Sequence, residues 1–343
     1  MKQIQAGILI SLIFAFMSCK VKNDLIFEEY DFKVKGFDWD PNPYKLSKFI
    51  QDSVLQNQGF QFASLSYSYI GNIEKMLITW DINAEPQETL TKDQIIDFNS
   101  FNKTKAIPVI IEKAKKAKVI IVNEAHHIPQ HRVFTTKLLQ GLYDEGYRHL
   151  GIETLNTSML SDSTLLANKY PILYNGYYIR EPQYGNMVRE ALKIGFKVFS
   201  YESQMGVNSK EREINQANNI KDYIESNPKG KYLIHCGYGH GSEGIHGSLG
   251  KTMAGRLTEF TGINPLTINQ TTYSEKSKKE YENPYYQLTD VEEPSIYMKN
   301  DSIFGEYKKG SWFDVYVFHP RTKNFNRPQW MIYGSRKTHY LNF

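Results

Sequence analysis

A regular alternation of strand-like and helix-like segments is the feature that most restricts the fold of this chain. From about residue 104 onward, short runs rich in β-branched and aromatic residues are separated by longer segments with helical spacing of apolar residues. The strand-like runs are KVIIV (118–122), HLGIETL (149–155), KVFSYE (197–202), KYLIH (231–235), NPLTINQ (264–270) and SWFDVYVFHP (311–320). Strands separated by helices form βαβ units. The pattern predicts an α/β fold, with a mostly parallel sheet covered by helices on both faces.

The segment 129–146 is the clearest of the predicted connecting helices. Its apolar face contains Phe134, Leu138 and Leu142, which are four positions apart. Pro129 suits the first turn of a helix, and Gly146 suits its end. Similar patterns predict helices within 185–195, 209–227 and 249–262.

Composition indicates a globular protein and disfavours nucleic acid as a partner. Of the 343 residues, 41% are apolar and 23% are charged, so the chain can build a substantial core. The formal net charge is only +4, and lysine and arginine are dispersed. The densest basic run, 113–118, lies on a predicted helix and forms no stripe of the kind that binds phosphates.

The first nineteen residues have the pattern of an export signal. Lys2 precedes an apolar stretch, 6–17, that is too short to span a bilayer comfortably, and Ser18 lies directly before Cys19. This resembles a bacterial lipoprotein signal, in which the cysteine is lipidated; a short N-terminal membrane anchor is the alternative. Both place the mature protein in the cell envelope of a bacterium, tethered to the membrane. Cys236 then has no partner for a disulfide, so the core must supply the stability.

A helical region is expected ahead of the α/β domain. Apolar spacing from Pro43 to Asp81 predicts helices, and part of this stretch faintly resembles a single tetratricopeptide hairpin. We interpret it as a structural cap; a peptide-binding groove, whose protein partner the sequence does not identify, is the alternative. The expected division is a signal peptide (1–18), a stalk (19–42), a helical region with a linker (43–103) and the α/β domain (104–343).

Glutamate and histidine residues collect where the predicted strands end. Consecutive parallel strands share one carboxyl-terminal edge, and ligands of open α/β sheets bind outside that edge. The residues at or just beyond the strand ends are Glu124, His126, His127, Glu153, Glu202, His235 and His240. His131 lies within the first turns of the following helix. We therefore predict a common cleft at this edge.

These residue types suit hydrolysis by activated water. Two carboxylates in one buried cleft repel each other, so we expect one of them to hold a proton near neutral pH. Histidine can take a proton from water and return it to a leaving group. No GxSxG motif is present, and Cys236 has no evident activating arrangement, which disfavours a covalent nucleophile.

For several of these residues, a structural role is the alternative to a role in the site. His126 and His127 are neighbours on a turn, so we expect one in the site and one in a structural role. For His131, a solvent-facing position and a ligand contact are both open. Glu202 suits either the site or a structural ion pair, and His235 suits a core position better than a ligand contact.

Three motifs in order resemble the superfamily of erythromycin-esterase-like and ChaN-like haem-binding lipoproteins, relatives of TraB and Tiki proteins. They are IIVNEAHHIPQH with the following LLQGLYDEGYRHLGIETL, then REINQANNI (212–220), then KYLIHCGYGHGSEG with GSLGKTMAGRL. The resemblance covers about 105–270 and implies functional roles for Glu124, Glu153, Arg212 and His240. Esterase-like spacing selects His127 as the first-motif histidine, whereas ChaN-like spacing selects His126. Asn123 replaces the usual glycine before the glutamate.

The leading interpretation is a membrane-anchored hydrolase that cleaves an ester or related bond of a small-molecule substrate and requires no cofactor. In it, Glu124, His126, His127, Glu153 and His240 are the catalytic candidates, and His131, Glu202, Arg212 and His235 are the substrate-binding candidates. The alternative is a ChaN-like protein that binds haem or a divalent metal, or a Tiki-like metal-dependent peptidase; His126, Glu153 and His240 would be the metal ligands. A non-catalytic binding module that uses the helical cap is the third hypothesis.

Overall fold

A computed structural model describes residues 44–332, except for 154, 156–164, 166, 173–174, 204–205 and 306–310. The described residues belong to one compact unit, residues 41–343. The predicted signal peptide, Cys19 and the stalk lie outside the described residues. Within the described ranges, no helix has both the length and the apolar character needed to cross a membrane.

Nine strands of the described chain form one large sheet, and three others form a small antiparallel sheet. In chain order the strands are β1 (Asn102–Lys105), β2 (Val119–Glu124), β3 (Tyr147–Ile152), β4 (Lys197–Ser200), β5 (Lys231–Gly237), β6 (Glu243–His246), β7 (Gly250–Lys251), β8 (Leu266–Tyr273), β9 (Ser295–Lys299), β10 (Ser302–Ile303), β11 (Ser311–Trp312) and β12 (Val315–Phe318). The spatial order in the large sheet is β1-β9-β12-β8-β2-β5-β3-β4, and β10 pairs with β9. The strands from β12 to β4 in this order pair in parallel. Strand β9 pairs antiparallel with each of its neighbours, β1, β10 and β12.

Helices precede the sheet and connect most of its parallel strands. They are α1 (Phe60–Tyr69), α2 (Ile73–Trp80), α3 (Lys92–Phe98), α4 (Ala106–Ala114), α5 (Pro129–Asp144), α6 (Pro182–Ile194), α7 (Ser209–Ser226), α8 (Met253–Thr261) and α9 (Pro284–Gln287). A further helical stretch at the start consists of Ser47–Phe49, a π-helical segment Ile50–Val54 and Leu55–Gln58. Side-chain caps fix several helix starts; for example, Asn208 accepts a hydrogen bond from the backbone N–H of Glu211 at the start of α7.

Strand β2 shows how the sheet is buried on both faces. Ile120 and Val122 belong to an apolar cluster with residues of α4, α5 and α6, whereas Val119 and Ile121 belong to a second cluster with residues of α7 and α8. All four side chains are fully buried. Successive side chains of a strand point to opposite faces, so these two clusters are the two helix–sheet interfaces. The predicted α/β class, with helices on both faces of a mostly parallel sheet, is confirmed.

The antiparallel edge of the sheet was not predicted. Strand β1 (NKTK) is largely exposed, so it lacks the apolar pattern that marks a buried strand. The run SWFDVYVFHP was predicted as a single strand, but it divides into β11, which pairs with β6 in the small sheet, and β12, which pairs with β8. The division falls at Phe313 and Asp314, where Asp314 accepts a hydrogen bond from the backbone N–H of Thr267 in β8.

The N-terminal helices pack on the turn that follows β2. One apolar cluster combines side chains from these helices, from the turn and from the C-terminal part of the described chain; it includes Ile50, Tyr67, Met76, Ala125, Ile128, Val133 and Trp330. The helical region therefore supports the backbone that carries the first group of candidate site residues.

Truncation of Leu138 tests the interface between α5 and the sheet. Leu138 is fully buried in the first cluster, so Leu138→Ala should lower the free energy of unfolding by about 2–5 kcal/mol through lost transfer energy and a residual cavity. Urea denaturation measures this change. Gln140→Ala, on the exposed face of the same helix, should change it by less than about 0.5 kcal/mol. Equal effects of the two substitutions would contradict the assigned interface.

Candidate active site

The carboxyl-terminal edge of the parallel strands brings glutamate, histidine and arginine side chains together. Glu124 is the last residue of β2, and Glu153 immediately follows β3. His240 lies on the short 3-10 turn Tyr238–Gly241 that follows β5, the strand between β2 and β3. The chain leaves β2 for α5 on one face of the sheet and leaves β5 for α8 on the other face, and open α/β sheets bind ligands outside the carboxyl ends of such strands.

Glu124 and Arg132 form a buried ion pair at the end of β2. Arg132, in the first turn of α5, donates from Nε to Glu124 Oε2 at 2.7 Å and from Nη2 to Oε1 at 2.9 Å. Its Nη1 donates to Glu181 Oε2 at 2.9 Å, and Nη2 also donates to the backbone carbonyl of His126 at 2.6 Å. Neither Glu124 nor Arg132 is accessible to solvent beyond 1%. Charge-assisted bonds of this bidentate geometry fix the carboxylate firmly.

Glu124 in turn orients two histidines. His126 Nδ1 lies 2.9 Å from Glu124 Oε1, and His235 Nε2 lies 2.9 Å from Oε2. The side chain of His126 is 19% exposed, whereas that of His235 is fully buried. The ring of Tyr178 stacks on His126 at 4.2 Å, and the ring of Tyr238 meets it edge-on at 5.1 Å. His126 is thus the member of this group that can meet a ligand.

A second group is built around Glu153 and Arg212. Arg212, on α7, donates from Nη2 to Glu153 Oε1 at 2.6 Å. Its Nε and Nη2 also bind the two oxygens of Glu202 at 3.0 and 2.6 Å. The backbone N–H of Gly237 donates to the other oxygen of Glu153. One third of the Arg212 side chain is exposed, so this guanidinium forms part of the accessible rim.

His240 is held between this group and a buried carboxylate. Its Nδ1 lies 2.5 Å from Glu213 Oε1, and Glu213 Oε2 accepts the backbone N–H of Met253 at 2.6 Å. On the other side of the ring, Nε2 lies 3.0 Å from Arg212 Nη1 and 3.4 Å from Glu153 Oε1. In the neutral form of the ring, Nε2 accepts from Arg212, because arginine can only donate, and the ring proton lies on Nδ1.

Gly237 is the point at which the two groups meet. A β-carbon at this position would collide with the ring of His126 and would lie 3.2 Å from Glu153 Oε2. Only glycine allows both side chains to approach the backbone so closely. Gly237 therefore allows His126, which is bound to Glu124, and Glu153 to approach the same point of the backbone.

The electrostatics differ from the expectation that one glutamate would hold a proton. Burial alone raises the pKa of Glu124, but the charge of Arg132 and hydrogen bonds from His126 and His235 hold that pKa well below its usual range. Burial also raises the pKa of Glu153, but the charges of His240 and Arg212 lower it to about 2. Each carboxylate has its own arginine, so both are ionised at neutral pH.

The histidine of this group with a raised pKa is His240. Burial lowers the pKa of His240, but Glu153 and Glu213 outweigh this effect and raise it above its ordinary value. At Glu181, which also binds Arg132, burial outweighs the charge of the guanidinium and raises the pKa of the carboxyl group.

Three sequence-selected residues do not face the cleft. His127 is buried, stacks on Trp80 at 3.6 Å and lies 3.2 Å from the hydroxyl of Tyr238. His131 is buried, and its Nδ1 accepts the backbone N–H of Ala125 at 3.0 Å. His235 supports Glu124 from within the sheet. These three rings are shielded from solvent. This burial gives no support to the catalytic role predicted for His127 or to the substrate contacts predicted for His131 and His235, which stay predictions.

The metal-ligand set expected from sequence does not fit the donors present. Glu213 and Arg212 engage both ring nitrogens of His240, and Arg212 and the Gly237 N–H engage both oxygens of Glu153. A positively charged guanidinium lies where a cation would have to bind. Over the described part of the chain, no group of three or more histidine, cysteine, aspartate or glutamate side chains has the arrangement of a metal site.

Sequence reasoning missed the buried charges that support the site. Arg132 lies on one buried helix face with Thr135, Leu139 and Leu142. Glu213 lies on another buried helix face with Ala217, Ile220 and Ile224. A charged residue within an apolar stripe is the signal that could have identified both. Glu181 precedes Pro182 and caps α6 through the backbone N–H groups of Gln183 and Tyr184. Its position is typical of an N-cap.

Comparisons with known proteins give only distant likenesses. No protein-family model matches the chain, and no curated protein sequence matches it. Among solved structures, the type III effector HopBA1 shares 16% identity at a TM-score of 0.37, covering 50% of this chain and 86% of that one. RRSP, a MARTX toxin effector domain from Vibrio vulnificus, shares 14% identity at a TM-score of 0.34. The match covers 59% of this chain and 43% of that one. ChaN of Campylobacter jejuni, which binds haem cofacially, shares 12% identity at a TM-score of 0.35. The match covers 52% of this chain and 93% of that one. Such likenesses assign neither a family nor an activity.

Removal of Arg132 tests the buried ion pair. Arg132→Met should lower the free energy of unfolding by about 3–5 kcal/mol, because it leaves the carboxylate of Glu124 buried without its counter-charge. Chemical denaturation measures the change. Lys193→Met, which removes an exposed ion pair with Glu190, should cost at most about 1 kcal/mol. A similarly small loss for Arg132→Met would show that Glu124 is stabilised by other groups.

The pKa of Glu153 predicts an acid-dependent loss of stability. The folded-state pKa is about 2, below the ordinary value of 4.5, so ionised Glu153 stabilises the fold above pH 4.5. This contribution should disappear as the pH falls from 4.5 toward 2. Urea denaturation across that range should show a steeper decline for the wild type than for Glu153→Gln. Parallel declines in the two proteins would mean that Glu153 has an ordinary pKa.

Proposed function

We propose that this protein is a hydrolase that cleaves an ester or related acyl bond of a small molecule with water activated by His126. One observation carries the proposal. The Nδ1 atom of His126 is bound to the buried, ionised Glu124, while its Nε2 atom has no hydrogen-bond partner among the described residues and its side chain is 19% exposed. A histidine oriented by a carboxylate, with its second nitrogen open, is the arrangement of a general base.

The reaction follows from these positions. Nε2 of His126 takes a proton from water as the water oxygen bonds to the acyl carbon, and the carbonyl π electrons move onto the carbonyl oxygen. Glu124 stabilises the imidazolium that forms, and Arg132 keeps Glu124 in place. When the tetrahedral intermediate collapses, the bond to the leaving oxygen breaks, and that oxygen receives the proton from His126. Water is consumed, and an acid and an alcohol are released.

Arg212 is the group best placed to stabilise the developing negative charge. Its guanidinium is partly exposed at the rim, and Glu153 and Glu202 fix its orientation through bonds of 2.6 to 3.0 Å. A preorganised donor of this kind stabilises an oxyanion without reorganisation during the reaction. His240 contacts Arg212 and contributes to the same side of the site.

The proposal includes attachment to the membrane of the bacterial cell envelope through lipidated Cys19. It rests on the sequence of the first nineteen residues, with the apolar stretch 6–17 ahead of Ser18 and Cys19.

Haem binding is the second candidate function. An accessible imidazole flanked by the rings of Tyr178 and Tyr238 is also an arrangement that binds a flat, iron-containing ligand. In that case His126 Nε2 would bind the iron, and the aromatic rings would contact the macrocycle.

One experiment separates the two functions. Residues 20–343 are assayed with p-nitrophenyl esters of short acids and, separately, titrated with haem while the Soret band is recorded. His126→Ala and Glu124→Gln should reduce ester turnover by about 10²–10⁴-fold, the contribution typical of general-base catalysis. His149→Gln is the control, because His149 lies at the amino-terminal end of β3, on the opposite edge of the sheet. Absence of wild-type turnover together with tight haem binding that requires His126 would replace the hydrolase with the haem-binding function.

A further inference from the structure

Tyr238 adopts a backbone conformation that its residue type disfavours. It lies between Gly237 and Gly239 in the turn after β5, and its φ is +39°. In this left-handed region the β-carbon crowds the backbone, so residues other than glycine are rarely found there. Two glycines flank Tyr238, yet the strained position holds a tyrosine. The surrounding contacts must hold it there.

Asn123 fixes the backbone of this turn. Its Nδ2 donates to the carbonyl oxygen of Tyr238 at 2.8 Å. The amide is itself anchored, because its Oδ1 accepts the backbone N–H of Gln270 and its backbone carbonyl accepts Gln270 Nε2, both at 2.8 Å. Asn123 is buried at the point where β2 and β8 separate. A glycine at this position could make none of the side-chain bonds.

The Tyr238 side chain reaches across to the turn that carries His126. Its hydroxyl lies 3.2 Å from His127 Nδ1, one residue beyond His126 on that turn. Its ring meets the His126 ring edge-on at 5.1 Å. His127 is held in place by stacking on Trp80 of α2, with the ring planes 11° apart. Tyr238 thus joins the turn after β2 to the turn after β5.

We propose that Tyr238 is a positioning residue that locks His126 and His240 into one geometry, with Asn123 holding its strained backbone and the Trp80–His127 stack holding its hydroxyl. The expected effect on turnover rests on the hydrolase function proposed above. The expected effect on the positions of the two histidines does not depend on that function. It gives the N-terminal helices a direct part in the site, since Trp80 belongs to them. It also gives the Asn123 side chain a role in fixing the turn after β5.

Tyr238→Phe is the variant that tests the hydroxyl, and Tyr223→Phe is its matched control. Tyr223 makes the same type of bond, hydroxyl to histidine Nδ1, with His149 at 3.1 Å on the opposite edge of the sheet. Both variants should lose a similar small amount of stability. On p-nitrophenyl esters, Tyr238→Phe should lower kcat about tenfold, equivalent to about 1.4 kcal/mol, with KM changed less than twofold. Tyr223→Phe should leave both constants unchanged. Unchanged kcat in Tyr238→Phe, or equal losses in both variants, would overturn the proposal.

Histidine ring nitrogen spectra of ¹⁵N-labelled protein provide a readout that does not require turnover. Tyr238→Phe should shift the signals of both His126 and His127, and Asn123→Gly should shift those of His126 and His240 and lower kcat. Tyr223→Phe should shift only His149. If the wild type hydrolyses no ester, the proposed hydrolase function is refuted. The spectral shifts alone then test whether Tyr238 positions the histidines. Unshifted His126 signals in Tyr238→Phe would refute the positioning role.

Discussion

The buried ion pair between Glu124 and Arg132 is the interaction on which the rest of the site depends. Two charges removed from water cost more than their attraction returns unless further hydrogen bonds satisfy them. Here the guanidinium also binds Glu181 and the backbone carbonyl of His126, and the carboxylate also binds His126 and His235. The pair therefore ties β2, α5, the start of α6 and β5 to the turn that carries His126.

Pairing each carboxylate with its own arginine determines how charge is distributed at the strand ends. Glu124 and Glu153 stay ionised, so neither competes with histidine for the proton that a reaction would move. The Glu124 pair is sealed from solvent, whereas Arg212 is partly exposed. One ion pair is closed to solvent, and the other leaves part of its guanidinium accessible at the rim. Both arginines lie in the first turn of a helix packed on the sheet, but Arg132 is also enclosed by Glu181 and by the ring of Tyr184.

Much of this arrangement could be predicted from sequence because parallel strands impose it. Once the βαβ rhythm is recognised, Glu124, Glu153 and His240 must follow strands that end at the same edge. What could not be predicted was the choice between His126 and His127. They are adjacent on one turn, and only the packing of Trp80 against His127 decides which ring is buried. The protonation of the glutamates was misjudged for a related reason, because Arg132 and Arg212 approach them from separate helices.

By itself, the sequence determined the class of the fold and the edge at which chemically active residues gather, because strand and helix periodicity and the direction of parallel strands are local properties. The tertiary structure alone decided which of those residues are accessible, which are paired, and that Tyr238 and Asn123 connect the two halves of the site. Many of these properties depend on contacts between separate segments of the chain, such as the bond from Asn123 to Tyr238, which are 115 residues apart. No local pattern encodes a contact of that kind, since it exists only once the core has packed.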